Sequence, residues 1–235
     1  MRLCLQYSKE EEARFLSHLD LMRAMERALR RAQLPLVFSE GFNPHLCVSY
    51  ASALAVGVTS EGEYLDLPLK GDWPAEEAVQ RINAVLPAGL KMVAAVPVTQ
   101  RRESLMAIIN LARYRVEIPL RQAIEQKEAE EMIAQVLARP AYSVLRRGKK
   151  GERQVDIRPG LWQLQGWAEN NKLILHIAVQ TGSQGNVKPE EVIEMVKDTV
   201  SFSRGENFWG ENIRIHRLGL YIRENDKIYS PLERA

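Results

Sequence analysis

The strongest constraint on this chain is the order of its hydrophobic periodicities, which runs strand, helix, strand, strand, helix, strand and then begins again. Arg2 to Tyr7 sets Leu3, Leu5 and Tyr7 against Arg2, Cys4 and Gln6, the alternation of a half-buried strand. Ser17 with Asp20 three residues later marks a helix start. Leu21, Met22, Met25, Ala28, Leu29 and Ala32 then recur at helical spacing until Pro35 stops the run. After Cys47 to Val58, a second alternation covers Tyr64 to Leu69, where Pro68 marks an edge or an end. Pro74 opens a helix carrying Ala75, Ala78, Val79, Ile82, Val85 and Leu86, and Pro87-Ala88-Gly89 releases it into a strand from Leu90 to Val98.

The same order starts again at Arg113, 111 residues after Arg2. Tyr114 to Leu120 alternates, and Ile124, Met132, Ile133, Val136 and Leu137 line a helix that ends before Pro140. Strand patterns follow at Tyr142 to Leu145, Arg153 to Ile157, Leu161 to Trp167 and Lys172 to Gln180, with Glu169-Asn170-Asn171 as a hairpin turn. Pro189 opens a helix through Val192, Ile193, Val196 and Val200, and Ile213 to Ile222 supplies the last strand. The expected fold is α+β, with two tandem ferredoxin-like (βαββαβ) halves, the second expanded by an extra β-hairpin. The expected domains are 1–98 and 113–235, joined by a linker over 99–112 whose apolar Leu105 to Ile109 run packs against the protein.

Composition narrows the chemistry. The longest nearly apolar stretch, Tyr50 to Val58, is far shorter than the ~20 residues of a membrane helix, and Lys9-Glu10-Glu11-Glu12 is no secretory core. A cytoplasmic protein without membrane contact is expected. Cys4 and Cys47 are the only cysteines, so neither a disulfide scaffold nor a metal site is expected, and no cofactor is called for. A net charge of +2 is too small to argue from; what matters is how the charge is distributed.

Two motifs stand out, Arg14-Phe15-Leu16-Ser17-His18-Leu19-Asp20-Leu21 and Ser39-Glu40-Gly41-Phe42-Asn43-Pro44-His45. With the later basic stretch from Lys150 to Pro159, they resemble the radical-SAM-linked protein family, a domain of uncharacterised function encoded beside, or fused to, radical SAM proteins in bacteria. The resemblance implies a radical SAM protein as partner and, from the family's gene neighbours, RNA as a ligand class. It supplies no reaction. The chain cannot itself be the radical SAM enzyme, because two cysteines 43 positions apart cannot form the tight three-cysteine run that holds such a cluster.

Arg23, Arg27 and Arg31 lie at i, i+4 and i+8 on one helix face, with Arg30 beside them and Arg14 just upstream. Guanidinium groups in such a ridge bind phosphates and release counterions; the same pattern also describes a solvated helix face with local ion pairs. Between Arg139 and Pro159 seven cations (Arg139, Arg146, Arg147, Lys149, Lys150, Arg153 and Arg158) face only Glu152 and Asp156, a local excess of +5. That hairpin reads either as a nucleic-acid arm or as an exposed, solubilising turn. In the Ser39–His45 loop, Gly41 permits a positive φ and Pro44 fixes the turn, so Ser39, Phe42, Asn43 and His45 are held at set positions; a purely structural turn uses the same residues. The resulting expectation is a non-catalytic accessory module that binds structured RNA, such as tRNA or rRNA, through these basic surfaces. Two alternatives stay open: a protein docking module without RNA contact, and a metal-independent endoribonuclease with His18 and His45 as its acid–base pair.

Overall fold

The structure, a computed structural model, describes residues 1–148 and 151–235, apart from the side chains of Phe202, Ser203 and Glu206. In chain order the elements are β1 (Arg2–Lys9), α1 (His18–Arg31), β2 (Ser49–Tyr50), β3 (Thr59–Pro68), α2 (Ala75–Asn83), β4 (Leu90–Pro97) and α3 (Leu105–Ile108). There follow β5 (Leu111–Pro119), α4 (Gln126–Leu137), β6 (Ser143–Gly148), β7 (Gly151–Asp156), β8 (Leu161–Glu169), β9 (Lys172–Gln180), α5 (Pro189–Arg204), β10 (Arg214–Glu224) and β11 (Lys227–Tyr229). The class is mixed α+β. Two compact units divide the chain, Met1–Asn110 with Arg217–Ala235, and Leu111–His216. Where the sequence reading assigns all of 113–235 to a second domain and 99–112 to a linker, Arg217–Ala235, which holds most of β10, groups with the first unit, as do residues 99–110. The reason is a non-local strand pairing, which no local periodicity reports.

In the first unit the strand order is β4-β1-β3-β10, with β2 also pairing β3 and β11 pairing β10. β1 runs antiparallel to both β3 and β4. One face of β1 and β3, made of Leu3, Leu5, Tyr7, Leu65 and Leu67 and continued by Leu69 just past β3, packs with Leu21, Met25 and Leu29 of α1 and Ala78 and Ile82 of α2. Each large side chain buried there is worth about 1.5–3 kcal/mol. The opposite face is also covered, which the alternation in the sequence does not announce. The Cys4 thiol meets the Pro231 carbonyl, the Tyr64 hydroxyl meets Ser230, and Arg102 donates to Asp66 at 2.7 Å. Burial, with Asp66 adding to it, pushes the Cys4 thiol up to about 12, so it is an unreactive core group.

A buried charged cluster ties this unit together. Arg217 on β10 lies 2.9 Å from Glu63 on β3, and the two side chains are 2% and 1% exposed. Arg217 also donates to the Ser52 hydroxyl and the Ala53 carbonyl, and Ser60 donates to Glu63. Next to it the equally buried Lys9 ammonium donates to the carbonyls of Arg14 and Leu16, which fixes the turn leading into α1. Desolvation lowers the Lys9 pKa, and Glu63 works against that shift. β3 and β10 approach closely where Gly62 faces Gly219; a Cβ on Gly62 would lie 2.6 Å from the Gly219 Cα.

In the second unit β5, β9 and β8 form an antiparallel run, and Asn170 and Asn171, both at positive φ, make the β8–β9 turn. α4 packs on β8 at Gly166, whose missing side chain makes room for Ile133. The extra hairpin, β6–β7, is a two-stranded sheet of its own. Arg158, just after it, donates to the carbonyls of Leu137, Arg139 and Leu161, so a cation closes the C-terminal end of α4.

Two outcomes follow. Arg217→Met leaves the Glu63 carboxylate buried and unpaired, at an expected cost of about 3–5 kcal/mol in urea unfolding, whereas Arg217→Met with Glu63→Leu recovers most of that loss. Arg158→Ala strips three carbonyls of a donor and lowers stability by about 1–3 kcal/mol, while Arg153→Ala, on the exposed hairpin, leaves the unfolding midpoint unchanged within the ±0.5 kcal/mol of ordinary surface substitutions.

A candidate nucleic-acid interface

α1 begins where the sequence places it, with the Ser17 hydroxyl accepting from the Asp20 amide. It ends with Gln33 in the left-handed conformation (φ 55°) ahead of Pro35. Its buried stripe is Leu21, Met25, Ala28 and Leu29. At 3.6 residues per turn, Arg30, Arg23, Arg27 and Arg31 then cover about 100° of the opposite side. All four are exposed. Arg23 lies 3.7 Å from Asp20, too far for a strong pair, with its side chain 70% exposed. Arg27 has no hydrogen bond or ion pair among the described residues. Arg31 donates to the Val85 carbonyl at 2.7 Å, just past α2, where carbonyl dipoles favour a cation. Arg30 is paired with Glu26 at 2.7 Å and its guanidinium lies 4.8 Å from the centre of the Phe38 ring.

That last contact joins the helix to the Ser39–His45 loop. Phe38 and Leu46 bridge across the loop's neck, and the Ser39 amide donates to the His45 carbonyl at 2.9 Å. The His45 amide donates to the Ser39 hydroxyl at 3.0 Å, and that hydroxyl is 2.8 Å from the His45 Nδ1. Gly41 takes φ +113° with nothing crowding its Cβ position, so the glycine serves the backbone turn. Glu40, Asn43 and His45 are exposed, and Phe42 is fully so, at 105%.

The two histidines have different partners. His45 is bonded to Ser39, whereas the His18 ring stands edge-on to Tyr50 with centroids 6.2 Å apart. The His18 Nδ1 and the Tyr50 hydroxyl are buried without hydrogen-bond partners among the described residues. Burial, reinforced by Glu26, keeps the Tyr50 hydroxyl protonated well above its ordinary value. Arg14 is drawn inward, paired with Glu11 and stacked on Phe15.

Among the described residues of the hairpin and its flank, Arg146, Arg147 and Arg158 are already engaged. Arg146 makes two bonds to Glu191, at 2.7 and 2.6 Å, and a third to the Asn186 carbonyl. Arg147 pairs with Glu152 across the hairpin at 2.7 Å. Arg158 is the closure of α4 already described. A cleft of about 960 Å³ between the hairpin and the start of α5 sets Arg146, Arg147, Arg153 and Lys188 against Glu152, Glu190, Glu191 and Glu194, an even balance among the described residues. Arg153 is exposed. Lys149 and Lys150 lie outside the described residues. Sequence reasoning missed the carboxylates of α5 because they lie some 40 positions from the arginines; the spacing of Glu190, Glu191 and Glu194 at the start of an amphipathic helix was the available signal. Phe38 beneath Arg30 left no signal at all.

Among the described residues no group of His, Cys, Asp and Glu side chains could hold a metal ion, and no helix is long and apolar enough to cross a membrane. No curated protein matches the chain. Solved structures overlap it at low similarity. A Cbf5-Nop10-Gar1 complex matches at TM-score 0.48 and 7% identity over 90% of this chain and 47% of that one. An H/ACA RNP bound to a substrate RNA containing 2'-deoxyuridine matches at 0.44 and 10%, over 92% and 46%, and an archaeal box H/ACA sRNP Nop10-Cbf5 complex at 0.42 and 6%, over 90% and 46%. The chain spans about half the length of the chains it matches. A family model covers residues 2–189, most of the sequence, and the chain therefore belongs to the bacterial family described as an uncharacterized protein conserved in bacteria (DUF2344).

Proposed function

We propose that the first unit is an RNA-binding module whose contact surface is the arginine face of α1 together with the Ser39–His45 loop. The observation that carries this reading is the Arg30–Phe38 contact, which sets the loop beside a helix face on which Arg23 and Arg27 remain open to solvent. On this face Glu26 is paired with Arg30, while Arg23 stands 3.7 Å from Asp20 and keeps its side chain 70% exposed to meet a phosphate. The hairpin arginines contribute less, because Arg146 and Arg158 are committed to the protein itself. The strand order β4-β1-β3, with β2 beside β3, supports reading this unit as a ferredoxin-like βαββαβ half. The resemblance to radical-SAM-linked proteins supports an accessory role beside such an enzyme, presenting RNA to it.

A second reading, docking of a partner protein without RNA, is favoured by one feature. Phe15, Leu19 and Val56 are 68%, 63% and 58% exposed, and the Gly57 amide donates to the Arg14 carbonyl, which brings two of the three segments together.

Fluorescence anisotropy with a labelled tRNA transcript tests the choice. Contact with about three phosphates predicts affinity falling roughly 20- to 40-fold between 50 and 200 mM KCl, and Arg23→Ala with Arg27→Ala flattens the log–log slope by about 1.5–2. Absent or salt-independent binding overturns the RNA reading, and capture of a radical SAM protein lost on Phe15→Ser would establish docking in its place.

A further inference from the structure

We infer that the Ser39–His45 loop is a stacking platform for an unpaired nucleotide, so that the RNA bound by the first unit is read at a single-stranded loop, bulge or end instead of along a duplex. The inference rests on the proposal that this unit binds RNA, and it names the class of RNA.

Three observations carry it. Phe42 is 105% exposed, so its ring touches nothing that stabilises the folded chain and contributes only to what lies outside it. The loop that holds the ring is closed by three hydrogen bonds between Ser39 and His45 and by the Phe38–Leu46 bridge at its neck. Closure at the neck restricts the backbone that carries the ring, which lowers the entropy lost on stacking. The third observation is the neighbour. Arg30 lies against Phe38 at the base of the loop, and Arg27 is one helical turn from Arg30.

A cationic track beside an exposed aromatic ring is the combination that grips a nucleotide strand by its backbone and by the face of a base. Bases in a duplex offer no free face, whereas every unpaired base does. His45 adds a polar group at the neck of the loop. Its Nδ1 is engaged by Ser39, which leaves Nε2 as the nitrogen for a base edge or a ribose hydroxyl. Glu40 sits in the loop as an exposed carboxylate that opposes phosphate.

The test uses the full chain and two probes of one sequence: a 12-nucleotide single-stranded RNA with 2-aminopurine at its centre, and the same strand in a duplex. The single strand is expected to bind at least 10-fold more tightly than the duplex, with 2-aminopurine fluorescence quenched. Phe42→Ala is expected to weaken single-strand binding about 5- to 150-fold and to abolish the quenching, with the salt slope unchanged, while Phe42→Trp retains both. Because the ring is exposed, the thermal unfolding midpoint of Phe42→Ala should match that of the unsubstituted protein, which separates a stacking loss from misfolding. Ser39→Ala, which removes two of the three bonds that close the loop but keeps the ring, is expected to weaken binding less than Phe42→Ala does. Equal affinity for both probes, or a Phe42→Ala protein that still quenches, overturns this inference and leaves the RNA proposal standing. No binding of either probe at 50 mM KCl overturns both, and loss of a protein partner alone on Phe42→Ala would reassign the loop to protein docking.

Discussion

The presentation of α1 depends on a lysine that never reaches solvent. The Lys9 ammonium, at the end of β1, spends its hydrogen bonds on the carbonyls of Arg14 and Leu16, and so fixes where the chain turns before Ser17 starts the helix. Its charge is tolerable there because Glu63 is close by, itself paired to Arg217. A buried group that satisfies backbone carbonyls in a turn is directional in a way that a leucine at the same place would not be. The orientation of the arginine face therefore traces back to three charged residues from three separate stretches of sequence.

Much of the first unit was legible beforehand. The alternation of Leu3, Leu5 and Tyr7, the Ser17 cap and the helical stripe from Leu21 to Leu29 appear in the structure as read, because each is a local pattern with a local cause. Cys47–Val58 was less so. Only Ser49–Tyr50 of it pairs as strand, and Ser52 and Ala53 instead serve Arg217. The burial of Cys4, Tyr64 and Asp66 on the second face of the sheet was also invisible, since what covers them lies more than 30 residues away in every case.

For the site, the arginine spacing on α1 and the turn chemistry of Gly41 and Pro44 were readable from the sequence, and the structure supplied the contact that puts them side by side. The hairpin shows the limit of counting charges in a window. An excess of +5 over 139–159 contains one arginine that holds helix α5, one that closes helix α4 and one that pairs across its own hairpin. Charge in a segment measures what the residues carry, whereas a ligand meets only what the fold has left over.

The return of Arg217–Ala235 to the first unit bears on how the polypeptide is made. As the chain leaves the ribosome, Met1–Asn110 emerges with Glu63 lacking its guanidinium and β3 lacking β10 at its side, and it stays so until all of Leu111–His216 has followed. The intervening unit can close over its own local contacts meanwhile. The first unit thus closes only after the second has been made, and a nascent chain stalled before Arg217 would display an open strand edge and a buried acid without its arginine, the features quality-control machinery is built to notice.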